Sequence, residues 1–285
     1  MFKFNFNTEE VSKDISVPTE EKWVNSKQIS PNSLLINQFL NHKHIEFITI
    51  EIKDVSIRYI KPKTMLEVLK DANLKSEILQ ADTNHSDLIT GVYEGGLKVW
   101  ECTYDLAHFI CDNQMDFKEK KVLDLGCGMG IIGILTLLHG ASVDFQDYNS
   151  DVINYITTLN MYLNTELSKE MREKCRFFSG DWSYFCENLS NDPNNVKYDC
   201  IFTSETIYNT DNYVKLINVF NRCLKNDGVI YLAAKSYYFG VGGGLKQFED
   251  VLINDGNWEI KTVFKLTEGV TRSILQINRR CLQNK

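Results

Sequence analysis

Apolar positions along the chain follow two periods. From residue 45 to 60, IEFITIEIKDVSIRYI, apolar and polar residues alternate, which predicts one or two strands. Residues 63–80, KTMLEVLKDANLKSEILQ, repeat at helical spacing, and ADTNHSD after them reads as a linker. From about residue 99 the rhythm changes, and short apolar runs take turns with helical stretches. Strands are predicted at KVLDL (121–125), ASVDFQDYN (141–149), CRFFSG (175–180), YDCIFTSE (198–205) and NDGVIYLAAKSY (226–237). Helices are predicted at 99–113, 130–140, 150–164 (capped by Ser150), 182–189, 210–224 and 244–255. Two final strands, WEIKTVFKL and VTRSILQINR, have no helix between them and are expected to pair as an antiparallel hairpin. Alternating β and α at this spacing implies a doubly wound, mostly parallel α/β sheet.

Residues 1–40 are polar, with Pro18 and Pro31, and read as mobile or loosely attached. The expected division is an N-terminal extension, partly mobile, at 1–85 and one α/β domain at 86–285. No internal repeat is visible.

The loop KVLDLGCGMGIIG carries two overlapping glycine patterns. Gly126, Gly128 and Gly130 read as G-x-G-x-G, while Gly128, Gly130 and Gly133 read as the dinucleotide fingerprint G-x-G-x-x-G. In both, a strand ends, glycines permit a tight turn, and a helix N-terminus follows. The acidic neighbours separate the two. Asp124 stands two residues before the first glycine, where a carboxylate repels a pyrophosphate but attracts the cationic amino group of a methionine moiety. A sulfonium is likewise better served by carboxylates and aromatic faces than by a helix N-terminus. Asp147, at the tip of the second strand, suits both ribose hydroxyls of a nucleoside in either case. At the third strand, Gly180, Asp181 and Trp182 bring a carboxylate and an indole suited to adenine. The loop, including Cys127, therefore reads as a cradle for S-adenosylmethionine. Each residue also has a plainer role, Asp124 as a turn cap, Asp147 at a helix start and Trp182 as core.

Composition narrows the partners. Over 285 residues the net charge is −7, which argues against sequence-independent binding to a phosphate backbone and leans toward a basic protein partner. MFKFNFNTEEVSKD lacks the basic and apolar regions of a secretory signal, and no apolar window approaches membrane-spanning length. Eight cysteines without a C-x-x-C pair are then expected to stay reduced. His42 and His44 have metal-like spacing but no evident further ligand, so no metal is expected. His108 and His139 sit on apolar helix patterns and read as packing residues.

Several segments are more distinctive than the glycine loop: GVYEGGLKVWECTYDL (91–106), FQDYNSDVI (145–153), SGDWSYF (179–185), TSETIYN (203–209) and KSYYFGVGGGLKQF (235–248). Together, over residues 86–285, they resemble the protein-histidine N-methyltransferases, a branch of the seven-strand S-adenosylmethionine-dependent methyltransferases. The resemblance implies a class I, Rossmann-like fold with a seven-stranded sheet. It implies cofactor contacts from Trp100, Glu101, Cys102 and Thr103, from Gly126, from Gln146, Asp147 and Tyr148, from Gly180, Asp181 and Trp182, and from Ser204. The D-x-x-Y motif of related lysine enzymes appears as Glu205-Thr206-Ile207-Tyr208, with Glu in place of Asp, as in the histidine branch. The implied substrate is a histidine in a large-subunit ribosomal protein. The implied enzyme is a cytoplasmic and nuclear monomer that binds neither nucleic acid nor membrane directly.

A neutral imidazole is nucleophilic near pH 7 and needs no strong base, only the tautomer that turns one nitrogen toward the methyl group. Glu205 is the candidate acceptor for the other ring N–H; its alternative is the cofactor's amino group or the ordering of Tyr208. Tyr208 is the candidate to stack on the imidazole or to bind substrate backbone, with a core position as its alternative. FGVGGG (239–244) departs from Walker A, since Gly244-Leu245-Lys246-Gln247 breaks the Gly-Lys-Ser/Thr order, and reads as a close approach to a peptide or as a flexible turn. Competing functions are a lysine methyltransferase on the same scaffold, a non-catalytic ribosome-assembly factor, and a nicotinamide oxidoreductase favoured only by Gly128-x-Gly130-x-x-Gly133.

Overall fold

A computed structural model describes residues 24–165, 168–191 and 197–280. The strands are β1 (Lys27–Ile29), β2 (Phe47–Ile52), β3 (Val55–Ile60), β4 (Lys121–Leu125), β5 (Ser142–Asp147), β6 (Cys175–Ser179), β7 (Tyr198–Ser204), β8 (Leu224–Lys235), β9 (Trp258–Leu266) and β10 (Arg272–Arg279). The helices are α1 (Ser33–Leu40), α2 (Pro62–Asp71), α3 (Glu77–Thr83), α4 (Glu101–Asp112), α5 (Ile131–Leu138), α6 (Ser150–Val152), α7 (Thr158–Asn164), α8 (Lys169–Glu173), α9 (Trp182–Asn191), α10 (Tyr213–Cys223) and α11 (Leu245–Asp255). No helix among the described residues is long and apolar enough to cross a membrane.

The main sheet runs β1-β6-β5-β4-β7-β8-β10-β9. β6, β5, β4, β7 and β8 are parallel, and β10 enters antiparallel between β8 and β9, so the terminal hairpin closes one edge. This is the arrangement the resemblance implies, seven strands in a doubly wound sheet. An eighth strand, β1, pairs antiparallel with β6 at the other edge. The sequence pattern does not predict it, because three residues inside a polar stretch are too few to show a period.

Strand alternation divides the core into two layers. Val122, Val143, Phe145, Phe177 and Phe202 face one cluster, built with α4, α5 and α7. Leu123, Leu125, Phe178, Ile201 and Ile230 face the other, built with α9, α10 and α11. The first cluster continues without a break into residues 29–81, where Ile36, Phe39, Ile57 and Val68 are buried. Residues 1–23, also expected to be mobile, lie outside the described residues.

β2 and β3 form a separate antiparallel hairpin. Its open edge is satisfied by helix side chains: Asn164 Oδ1 accepts from Arg58 N at 2.9 Å and Asn160 Oδ1 from Ile60 N at 2.9 Å. The helical stretch 63–80 is two helices, broken where Asn73 turns left-handed at φ 52°. Asn149, not Ser150, holds the cap position before α6, and it makes no side-chain capping bond. Between α6 and α7 a π-turn spans Ile153–Thr157. It directs the Thr157 hydroxyl at Gly128 O, 2.7 Å away, so the irregular turn braces the glycine loop.

Candidate active site

The parallel strands reverse order between β4 and β7, the place where open α/β sheets bind ligands. Above their carboxyl ends lies a cavity of about 860 Å³, counting its open mouth. Trp100, Thr103, Gly126, Cys127, Gly128, Asp147, Tyr148, Gly180, Asp181, Trp182, Ser204, Glu205 and Tyr208 line it. Glu101, Cys102, Asp124, Gly130 and Gln146 do not; the structure puts them behind or beside the wall.

Gly126, Gly128 and Gly130 all have positive φ, at 67°, 49° and 77°. A side chain on Gly126 would sit 2.6 Å from Thr206 Cγ2, and one on Gly128 would sit 3.3 Å from Gly96 O. Gly133 serves packing instead. A Cβ there would lie 2.2 Å from the Phe145 ring, so this glycine lets α5 close onto β5. That packing accounts for the second pattern without a pyrophosphate.

Asp124 points away from the cavity. Its Oδ2 accepts the Gly133 N–H at 2.8 Å, under the start of α5. Burial, reinforced by the Asp147 charge, pushes its pKa up to about 7 despite that bond. Asp147 does face the cavity. Its Oδ2 accepts from Gly128 N at 2.9 Å and its Oδ1 from Asn149 N at 3.1 Å, and burial raises its pKa to about 6. Gln146 is wholly buried and works through its neighbour, its Oε1 accepting from Trp182 Nε1 at 2.9 Å and its Nε2 donating to Gly180 O at 2.8 Å. Asp181 pairs with Lys215 at 2.8 Å and caps the start of α9 by accepting from Ser183 N at 2.9 Å. Ser204 and Thr103 hydroxyls lie 2.9 Å apart.

Glu205 sits in a left-handed backbone conformation, φ 59°, rare for a non-glycine residue and typical of functional tips. Its side chain turns beneath the N-terminus of α4, where Oε1 accepts from Cys102 N at 3.3 Å and lies 3.5 Å from Lys235 Nζ. The Tyr238 hydroxyl and the Cys102 thiol also hydrogen-bond the carboxylate, while Oε2 is buried with no well-aligned partner among the described residues. An unpaired buried carboxylate oxygen is costly and calls for a donor. Tyr208 donates its hydroxyl to Glu94 Oε2. Burial, then the Glu94 carboxylate, hold that hydroxyl well above the usual phenol range.

Sequence reasoning missed Glu94, Asn149 and Lys235 as residues of the site. Asn149 Oδ1 accepts from Glu94 N at 2.9 Å and its Nδ2 donates to Val92 O at 2.7 Å, which straps residues 92–94 over the tip of β5. YEGG is conspicuous in sequence, and its reason is steric: a Cβ on Gly96 would lie 2.6 Å from Val152. A second cavity adjoins the first, sharing Glu94, Trp100, Glu205 and Tyr208 and adding Lys235, Tyr238 and an apolar rim. On that rim Phe239 is 80% exposed, with Tyr237, Val241 and Val270 also exposed. Gly243 and Gly244 fasten the rim loop: a Cβ on Gly243 would lie 2.1 Å from Ile207 O, and Gly243 N donates to Tyr208 O at 2.9 Å. His108 is exposed, not packed, while His139 stacks on Phe117.

The lining fits S-adenosylmethionine. Glu94, Asp147 and Asp181 face the first cavity, and among the described residues Lys98 is the one ammonium on its wall, a balance that favours a cationic ligand over a pyrophosphate. Glycine backbone and an indole complete a site for a charged nucleoside.

Comparison with known proteins agrees. The family described as lysine methyltransferase matches residues 79–239. The chain is 41% identical over 247 residues to a histidine protein methyltransferase 1 homolog of Bos taurus, covering 79% of this chain and 65% of that protein. A Rattus norvegicus protein of the same name is 39% identical over 265 residues, covering 86% and 72%. One from Dictyostelium discoideum is 40% identical over 198 residues, covering 68% and 61%. The chain thus spans about two thirds of the length of these relatives.

Proposed function

We propose that the chain, which belongs to this family of protein methyltransferases, transfers a methyl group from S-adenosylmethionine to a histidine nitrogen of a protein substrate. The observation that carries the reading is the meeting of two cavities at Glu205, whose buried Oε2 lacks a well-aligned donor among the described residues.

The cofactor supplies an electrophilic methyl on a sulfonium, to which the acceptor nitrogen bonds as the sulfur–carbon bond breaks and sulfur keeps the electron pair. Gly126, Cys127 and Gly128 offer backbone to it, Asp147 its carboxylate to ribose, and Trp182 its face to the base. Glu94 complements the positive charge. In the second cavity, Glu205 Oε2 accepts the imidazole N–H and so fixes the tautomer whose other nitrogen presents its lone pair. As that nitrogen is alkylated the ring becomes cationic, and the same oxygen stabilises it and holds the N–H proton until it leaves for solvent. Trp100 and Tyr208 wall the junction and hold the two reactants on one axis, which is where most of the rate enhancement for such a displacement arises. The apolar rim at Tyr237, Phe239, Val241 and Val270 suits segments flanking the target residue in a protein.

The histidine assignment is supported by the relatives' names and by Glu at position 205. The resemblance of the motifs supplies a large-subunit ribosomal protein as its carrier, modified by a monomer in cytoplasm and nucleus without direct contact to nucleic acid or membrane. A lysine acceptor is the second reading, favoured by the description of the matched family. The test is incubation of the protein with labelled donor and ribosomal subunits from cells lacking it. Mass spectrometry is expected to find one added methyl on a histidine-containing peptide of the large subunit; label on lysine alone would overturn the reading.

A further inference from the structure

Lys235 ends β8 inside the second cavity, 17% exposed at its side chain, and the proposed reaction leaves it unused. Its ammonium is 2.9 Å from Glu101 Oε2 and 3.5 Å from Glu205 Oε1. It also lies over two rings, 5.6 Å from the centroid of Trp100 and 6.0 Å from that of Tyr238. Two carboxylates and two aromatic faces around one cation make the kind of cage that recognises an alkylammonium ligand. Here the cage is already filled, by the chain's own lysine.

We propose that Lys235 is a specificity-determining residue that makes this acceptor pocket select a neutral imidazole and reject a substrate lysine. The inference rests on the histidine reading given above. Its ammonium occupies the cationic position of the pocket, so a substrate ammonium meets repulsion and finds the Trp100 and Tyr238 faces taken. Together with the Cys102 N–H it engages Oε1 of Glu205, so that among the described residues Oε2 is the oxygen left to meet an N–H. One open acceptor matches an imidazole, which has one N–H to donate, better than an ammonium, which has three. Discrimination thus comes from a built-in repulsive charge as well as from the attractive partner. Without Lys235, Glu101 and Glu205 would lose the ammonium between them and attract a lysine side chain more strongly.

The test compares the binding of N-acetyl-histidine methylamide and N-acetyl-lysine methylamide to protein loaded with S-adenosylhomocysteine, at pH 8, by saturation-transfer NMR titration. Wild type is expected to prefer the histidine probe by about tenfold or more, a difference readily resolved in dissociation constants. In Lys235→Met the ratio should fall to within about threefold or invert, while Lys235→Arg, which keeps the charge, should retain the wild-type ratio. A loss of packing alone would weaken both probes together and leave the ratio unchanged, and that result overturns the proposal. Wild type also decides by itself, should Lys235→Met fail to fold: equal affinity for the two probes overturns it. If wild type binds the lysine probe and not the histidine probe, the histidine reading falls first; if it prefers histidine and Lys235→Met keeps that preference, only the role of Lys235 falls.

Discussion

Replacing Glu205 by Gln separates binding from chemistry. On one side of the carboxylate, Oε1 faces two donors, the Cys102 N–H at 3.3 Å and the Lys235 ammonium at 3.5 Å. A glutamine must therefore place its carbonyl oxygen there, because an amide NH2 facing two donors would cost on the order of 1–3 kcal/mol. Its NH2 is then forced into the place of Oε2, turning the pocket's acceptor into a donor. A bound imidazole would accept from that NH2 and adopt the opposite tautomer, with its N–H, not its lone pair, facing the methyl group. The methylation rate should fall by roughly 10²-fold or more, about 2.7 kcal/mol of transition-state stabilisation. Affinity for S-adenosylmethionine, measured by calorimetry, should stay within about threefold, well under 1 kcal/mol. Rate is read from single-turnover transfer of labelled methyl to the protein substrate. A folded variant that turns over within about threefold of wild type would refute the tautomer argument. Lost cofactor affinity with normal turnover at saturating donor would move Glu205 into the methionine pocket.

Asp147→Ala removes the buried carboxylate facing the cavity and leaves Gly128 N and Asn149 N without an acceptor. Cofactor binding should weaken by about 1.5–3 kcal/mol, and unchanged calorimetric affinity would take Asp147 out of the site. Tyr208→Phe frees Glu94 of its hydroxyl partner but keeps the ring, so turnover should fall less than in Glu205→Gln; an equal or greater fall would give the hydroxyl the larger role. Asp124 has a folded pKa near 7 against an unfolded value near 3.8, so between those pH values the native state binds more protons than the unfolded state. Its ionisation therefore costs stability progressively as pH rises through that window, and Asp124→Asn should gain on wild type from pH 4 to pH 8, by on the order of 1–4 kcal/mol. Denaturant titrations showing a pH-independent difference would contradict this. Gly133→Ala should destabilise by about 1–3 kcal/mol through the Phe145 ring while leaving cofactor affinity nearly unchanged, and a selective loss of binding would give that glycine a ligand-facing role.

Much of the fold was legible because β4 to β8 and the helices between them repeat at clean periods and each parallel strand ends in a polar tip. Asp147 and Trp182 could be placed at one cavity from that regularity, and Glu205 from the resemblance of its E-x-x-Y motif. Asp124 shows what the tip argument overlooked. Alternation along KVLDL puts Asp124 on the face of Val122, whereas Leu123 and Leu125 point to the other layer. The side chain is thereby aimed beneath α5, at the Gly133 N–H. Gly133 itself looked like part of a fingerprint, although its constraint is contact with Phe145 across a layer, which no single segment displays. Glu94 and Lys235 lie inside the distinctive segments 91–106 and 235–248, yet neither segment shows by itself what they face. One rides on a loop strapped by Asn149 and the other ends a strand much further along the chain, and only the folded crossovers bring both beside Glu205. The polar stretch holding β1 and α1 hid Ile29, Ile36 and Phe39 among charges and amides, too sparse to reveal a buried face.

Methyl transfer to histidine is the central claim, and amino-acid analysis of the labelled product tests it most directly. Large ribosomal subunits from cells lacking the protein, incubated with purified wild type and labelled S-adenosylmethionine, are hydrolysed to free amino acids and separated. Label is expected in methylhistidine, reduced about a hundredfold when Glu205→Gln replaces wild type. Label recovered as methyllysine, or equal labelling by the two proteins, would contradict it.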